Sequence, residues 1–365
     1  MKITDVTVES YSWPRTRPIR NGKYTYTTAG LNAVLVHTDE GVTGLGLGAS
    51  IMVNEEIARV VLDALKGHLI GEDPFDVEKM WAAMWAPKLI GRRGLTTRVI
   101  STIDIALWDL KGKLCNRPLY KLLGGYTDRV PVYIAGGYYE EGKGLEELAQ
   151  EMKDNVAMGA RAVKMKIGGV PIKEDVERVC VVREAVGDDV KLMVDANNAY
   201  RYYEAIEIAR KIEKYGIFWF EEPVAPDDYR GHAMVAAATS IPVATGENEY
   251  TRYGFRDLIE HKAAAIINAD AQVLGGITEF MKVAALTQAY DLPIAPHGNQ
   301  DVHVHLVSAI PNGLIVEYYR DTVDPMWGRM FQETLTLQDG FLVPPDRPGL
   351  GVELNREALA PYRRA

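Results

Sequence analysis

Asp195, Glu221 and Glu247 are separated by two equal steps of 26 residues, and each follows a short apolar run: VKLMVDAN (190–197), IFWFEEP (217–223) and IPVATGEN (241–248). A step of that size holds one strand, one helix and two loops, so the repeating unit is β/α. Successive strands of a parallel β/α barrel end on one face, which brings the three carboxylates to a common point. Three oxygen ligands, with no Cys or His among them, suit a hard divalent cation of the Mg²⁺ type, with Mn²⁺ as the natural substitute. A single acid of this kind is ordinarily a solvated surface group, and the metal reading rests on the shared strand-end context of all three.

The same step finds chemistry on both sides. ARAVKMKIGG (160–169) carries Lys164 and Lys166, two residues apart and therefore on one face of a strand, pointing into the barrel mouth. AAIINADAQ (264–272) places Asp270 at a strand end, LPIAPHGN (292–299) places His297 at the next, and LIVEYY (314–319) places Glu317 at the last. The strand ends thus present Lys, Asp, Glu, Glu, Asp, His and Glu in order.

This order resembles the mandelate racemase subgroup of the enolase superfamily, whose pattern is Lys-x-Lys, three metal-binding acids, an Asp/His dyad and a terminal Glu. The resemblance spans nearly the whole chain, and IDIALWDLKGKLCNRPLYKLLGG (103–125) is similar to the segment that precedes the barrel in that superfamily. It implies an α/β fold: a (β/α)8-type barrel in the modified (β/α)7β form, with an N-terminal α+β capping domain. It also implies one Mg²⁺ per subunit on Asp195, Glu221 and Glu247, catalytic roles for Lys164, Lys166, Asp270, His297 and Glu317, and a homo-oligomer between dimer and octamer.

The chemistry of each residue agrees. Removing the proton next to a carboxylate creates a dianionic enediolate, which forms only where preorganised positive charge meets its oxygens. Lys166 is one base, its pKa expected to be lowered by the metal and by a second ammonium, Lys164, which also hydrogen-bonds the substrate carboxylate. His297 is the opposing base, and Asp270 accepts a hydrogen bond from its other ring nitrogen, fixing the tautomer. Glu317 is expected as a protonated acid with a raised pKa. Asn197 is placed to hydrogen-bond a substrate hydroxyl, and Glu222 is expected to face away from the metal because strand residues alternate.

The chain divides once. Residues 1–129 read as an α+β cap: strand patterns with a DEG hairpin turn at 39–41, then helical periods, the first capped by Asn54 and interrupted at Gly67. Residues 130–320 alternate strand and helix as the catalytic barrel, and 321–365 has the Pro/Gly punctuation of an extended segment returning to the cap. RTRPIRNGKYTYTTAG (15–30) reads as a polar lid loop with Arg17, Tyr24 and Tyr26 as substrate contacts, and LGASIMVN (47–54) as a second loop supplying apolar ones.

A chain of 365 residues with net charge −9 excludes nucleic acid and anionic membrane surfaces as partners. No run approaches the roughly 18 apolar residues of a membrane span. Cys115 and Cys180 have no CxxC neighbour, so disulfides and zinc sites are not expected and a cytoplasmic location fits. The expected activity is Mg²⁺-dependent abstraction of the α-proton of a hydroxy-carboxylate, a sugar acid, followed by loss of water to a 2-keto-3-deoxy acid. Racemisation or epimerisation of a 2-hydroxy acid and cycloisomerisation of a sugar-acid lactone use the same residues. A non-catalytic carboxylate binder would need a ligand or base missing, and none is.

Overall fold

The computed structural model describes residues 1–49, 55–86 and 92–364, so the expected cap at Asn54 and most of the second loop lie outside the described residues. The chain opens with an antiparallel sheet of β1 (Ile3–Arg20), β2 (Thr25–Thr38) and β3 (Thr43–Ala49), in that order. β1 and β2 pair from Ile3/Thr38 out to Arg20/Thr25, so the segment expected as a lid loop is instead the far end of a long β-hairpin. Pro14 and Pro18 read as loop punctuation, yet β1 lies at the sheet edge, where an absent N–H need cost no ladder bond. The register shifts between Pro14 and Ile19, which re-aims the tip.

Three helices, α1 (Glu55–Lys66), α2 (Val77–Trp85) and α3 (Leu95–Leu114), cover this sheet. α3 runs directly over the GLGLG of β3, because a Cβ at Gly44 or Gly46 would sit 2.2 Å from Ala106 O or 1.9 Å from Thr102 O. Two buried acids on α3 tie the cap to the rest. Asp104 accepts from the Thr278 backbone N–H at 2.8 Å and from its hydroxyl at 2.6 Å, while Asp109 accepts from the N–H groups of Leu45 (2.7 Å) and Leu350 (2.8 Å).

After a one-turn helix, α4 (Leu119–Leu122), parallel strands follow: β4 (Val130–Ala135), β5 (Ala162–Lys166), β6 (Lys191–Asp195), β7 (Ile217–Glu221), β8 (Val243–Thr245) and β9 (Ile266–Ile267). Ile294 bridges Ile267 as a single-residue seventh strand, and β10 (Val316–Tyr318) pairs with β4 to close the barrel. Between them run α5 (Leu145–Ala157), α6 (Ile172–Val186), α7 (Tyr202–Ile212), α8 (Tyr229–Ala238), α9 (Thr251–Glu260), α10 (Gly276–Gln288) and α11 (Gln300–Ala309). Eight strand positions joined by seven helices make the (β/α)7β arrangement.

The barrel floor is apolar: Tyr133, Met193, Trp219, Ala244, Ile266 and Ala295 fill it, with Tyr133 edge-on to Trp219 at 5.2 Å. Charges mounted just above this floor are therefore desolvated. The C-terminal stretch adds β11 (Phe341–Leu342) antiparallel to β4, then returns to the cap. There the Arg364 N–H donates to Ser10 O at 2.8 Å, and Tyr362 meets Trp13 edge-on. Among the described residues no helix is long and apolar enough to cross a membrane.

Candidate active site

Strand alternation and register build the site. In β5, Val163 and Met165 pack outward on the helices while Lys164 and Lys166 face in; in β6, Leu192 and Val194 go out and Asp195 goes in; in β7, Phe220 goes out and Glu221 goes in. Lys166, Asp195 and Glu221 are in register, so they form one layer at the strand ends. Glu247 stands two residues beyond β8, and Gly246, at φ 135°, carries the chain between. One carboxylate oxygen from each of Asp195, Glu221 and Glu247 lies within 4.8 Å of the others.

This donor set fits a small hard cation. Asp195 and Glu221 are fully buried, and Glu247 Oε2 is a buried acceptor with no hydrogen-bond partner. The spare oxygens are oriented from behind: Asp195 Oδ1 accepts from Asn197 N–H, and Glu221 Oε2 from Trp219 Nε1, each at 2.8 Å.

Lys164 is wholly buried, with Nζ 2.6 Å from Glu221, 2.9 Å from Glu317 and 3.7 Å from Asp195. Lys166 donates to Asp195 Oδ2. Burial disfavours both ammonium groups, but the facing carboxylates outweigh it and hold both lysines above their usual range. The lowered pKa expected for Lys166 is therefore not what the protein groups alone produce. Glu317 also departs from expectation: burial would raise it, but Lys164, then His297 and Lys166, pull it down to about 2. Glu221 goes the other way. Burial pushes it up to about 8 despite Lys164. A dication held by Asp195, Glu221 and Glu247 would offset the negative charge that holds Lys166 up and would favour its neutral form.

On the other side of the triad, His297 Nδ1 bonds Asp270 Oδ2 at 3.0 Å, leaving Nε2 3.7 Å from Glu247. Burial lowers His297, but Glu247 and then Asp270 outweigh it and raise it well above its ordinary value. Asp270 is steadied by Gln272 N–H at 2.8 Å. His303, which the sequence reading missed, braces the loop: Nδ1–H donates to Gly298 O at 2.8 Å and Nε2 accepts from Ala271 N–H at 3.0 Å, so the ring is neutral with its tautomer fixed. Gly298 N–H in turn donates to Glu317 at 2.7 Å.

A cavity of about 370 Å³ opens over these groups and is bordered by Lys166, Asn197, Glu247, Asp270 and His297. Asn197, in the left-handed region at φ 43°, presents an Oδ1 with no partner among the described residues. Tyr24 and Tyr26 close the cavity from the hairpin, Tyr24 exposed at the rim and Tyr26 half-buried, its hydroxyl pushed up to about 12 by desolvation. Arg17 is not there. It is exposed and borders a separate depression with Arg20, Tyr139 and Glu140, because the irregularity after Pro14 turns Arg15 and Ile19 inward instead. Glu222 does border the cavity, contrary to expectation. At φ 42° it has left the strand, so alternation no longer applies, and Asn198 and Asn248 each hold its carboxylate at 2.8 Å. Of the second loop, Gly48 is among the described residues and also reaches the cavity.

Two further walls carried no local sequence signal. Arg98 enters from α3, and Val323, Asp324 and Trp327 enter from the C-terminal segment, where Asp324 accepts from Trp13 Nε1 of β1 at 2.7 Å.

A closed β/α barrel with a cation site and proton-carrying side chains on both sides of it defines a class of metal-assisted, proton-abstracting enzymes. Residues 3–124 match the mandelate racemase/muconate lactonizing enzyme N-terminal domain, and residues 147–358 match the enolase C-terminal domain-like family. The chain belongs to the enolase superfamily, in its mandelate racemase branch, whose solved structures carry magnesium, and the three acids could hold such an ion. It is 36% identical to an arabinonate dehydratase of Saccharolobus solfataricus over 91% of this chain and 90% of that protein. It is 38% identical to a 3,6-anhydro-alpha-L-galactonate cycloisomerase of Streptomyces coelicolor over 90% of each. Its fold matches the crystal structure of L-talarate/galactarate dehydratase from Salmonella typhimurium, liganded with Mg and L-lyxarohydroxamate, with a TM-score of 0.92 and 32% identity over 100% of this chain and 93% of that one.

Proposed function

We propose that the protein is a magnesium-dependent acid-sugar dehydratase. The observation that carries this reading is the placement of Lys166 against Asp195 at one end of the metal triad and of the Asp270-held His297 beside Glu247 at the other. The magnesium ion held by the triad supplies positive charge where the substrate carboxylate gains negative charge. Lys166 Nζ takes the α-proton, and Lys164 places a second ammonium against the same carboxylate. His297 Nε2 carries the proton that leaves with the β-hydroxyl as water, since Asp270 occupies Nδ1. The resulting enol tautomerises to the 2-keto-3-deoxy acid. Asn197 Oδ1 accepts from a substrate hydroxyl, and Tyr24 and Tyr26 contact the distal carbons.

The relatives named as dehydratases of arabinonate and of L-talarate/galactarate support the substrate class. Proton carriers on both sides of the triad also serve epimerisation, and the relative named D-galactarolactone cycloisomerase favours cycloisomerisation of a sugar-acid lactone as the second reading. A cytoplasmic location is in keeping with the free Cys115 and Cys180, and a homo-oligomer with the habit of the superfamily. The test incubates the Mg²⁺-loaded protein in D₂O with a panel of aldonic and aldaric acids. The dehydratase reading expects 2-keto-3-deoxy acid from at least one of them. Deuterium at the α-carbon without keto acid turns the reading to epimerase, and neither product from any acid ends it.

A further inference from the structure

Two cations that border the cavity, Arg15 and Arg98, are not used by the chemistry above. Arg98, on α3, is fixed by its Nε, which donates to Tyr250 Oη at 3.2 Å, and its guanidinium carbon lies 5.9 Å from the Tyr250 ring centre. Its two terminal nitrogens make no hydrogen bond, and no carboxylate pairs with it, among the described residues. Lys166 is paired with Asp195, and Arg15, also without a carboxylate, commits a terminal nitrogen to Val323 O beside the Tyr26 ring, whereas both terminal nitrogens of Arg98 remain uncommitted among the described residues. Neighbouring donors are committed as well, since Gln272 Nε2 bonds Leu47 O and Asn248 Nδ2 bonds Glu222, each at 2.8 Å.

In a chain of net charge −9, an arginine left without a carboxylate while Glu222, Glu247, Asp270, Asp301 and Asp324 all border the same cavity is a specific arrangement. Its orientation comes from the loop after β8, through Tyr250. Asp301 and Asp324 belong to the elements after the seventh and eighth strand positions, and Asp324 is already bonded by Trp13 and by Met326 N–H. A guanidinium fork matches a carboxylate in a way that sugar hydroxyls do not.

We propose that Arg98 receives a second, distal carboxylate of the substrate, which makes the preferred substrates sugar diacids (aldaric acids) over monoacids of the same chain length. This rests on the acid-sugar reading above and narrows it. The experiment compares kcat/KM for a hexaric acid and for the hexonic acid of the same configuration, in the wild-type enzyme and in Arg98→Met and Arg98→Lys. The wild type is expected to favour the diacid. Arg98→Met should lower the diacid-to-monoacid ratio by about tenfold to a hundredfold, the range of a charge-assisted hydrogen bond, and Arg98→Lys should restore it only in part.

A second measurement needs no variant. 2-Hydroxyadipate should inhibit the wild type at least about tenfold more tightly than 2-hydroxyhexanoate, neither of which has a β-hydroxyl to lose. Equal inhibition by the two, a wild-type preference for the monoacid, or an Arg98→Met variant that depresses both substrates equally overturns the diacid inference and leaves the dehydratase reading standing. Absence of both keto acid and α-exchange from every mono- and diacid overturns the reading itself, and the inference with it.

Discussion

Replacing Lys164 by Met separates the two jobs of the charge cluster. Lys164 is wholly buried over an apolar floor and touches Glu221 and Glu317 at 2.6 and 2.9 Å, with Asp195 at 3.7 Å. Met has nearly the same length, so packing is largely kept while the buried carboxylates lose their ammonium. Removing one partner of a buried ion pair costs about 3–5 kcal/mol. For a barrel of this size that is a drop on the order of 10 °C in Tm for the metal-free protein. The deficit should widen as pH rises. Glu221, already pushed up to about 8 with Lys164 in place, should rise further without it, so its burial goes on destabilising the variant above that pH, where the wild type has levelled off. Magnesium should reverse much of the loss, because a cation that no longer competes with an ammonium binds more tightly. Metal at about a hundred times Kd stabilises by ~2.7 kcal/mol in the wild type, and the variant should gain more. Melting curves in EDTA and in Mg²⁺, at pH 6 and pH 8.5, read all of this. A variant that melts within about 2 °C of wild type in EDTA, with the same Mg²⁺ increment, would show that the ammonium is not what compensates the carboxylates.

Two further outcomes follow from the same geometry. Since Glu221 must lose its proton to bind metal, Mg²⁺ affinity should rise by up to about tenfold per pH unit between pH 6 and 8, with proton release visible by calorimetry in buffers of different ionisation enthalpy; pH-independent affinity contradicts the raised Glu221. Lys166→Ala and His297→Asn should each abolish net turnover, yet each should keep deuterium exchange of only the stereoisomer facing the surviving base, and net turnover surviving in both would remove the two-base assignment.

The acids and bases of the site were legible because alternation and the β/α period are local rules. A strand of five residues such as Lys191–Asp195 announces both its inward face and its end. Legibility failed where the backbone left those rules. Glu222 follows a strand end with positive φ, so counting residues gave it the wrong direction. The 15–30 segment hid its strands in a polar run that includes Pro18, which the edge position of β1 tolerates. Arg98 sits on a helix whose period reports its buried apolar face, and nothing nearby in sequence says that Tyr250, 152 positions away, turns it toward substrate. The protonation states of Lys166 and Glu317 were misread for a different reason: Lys166 depends on the carboxylate against it and Glu317 on the ammonium of Lys164, and such distances are not encoded in spacing.

The roof over the substrate is made by both ends of the chain. β1 begins it, the stretch after β10 completes it through Asp324 on Trp13, and the last residues lie along Ser10 and Tyr11. Swapping the cap for that of a relative, to transplant substrate preference, therefore takes two junctions, one before β4 and one after β10. A chimera cut only at the first would pair a foreign β1 with a native Asp324 and tail, and would inherit half of each roof. Recombination within such a family is thereby confined to exchanges that move the barrel as an insert between two matched flanks, so the catalytic strands can pass between lineages more easily than the surfaces that choose what they act upon.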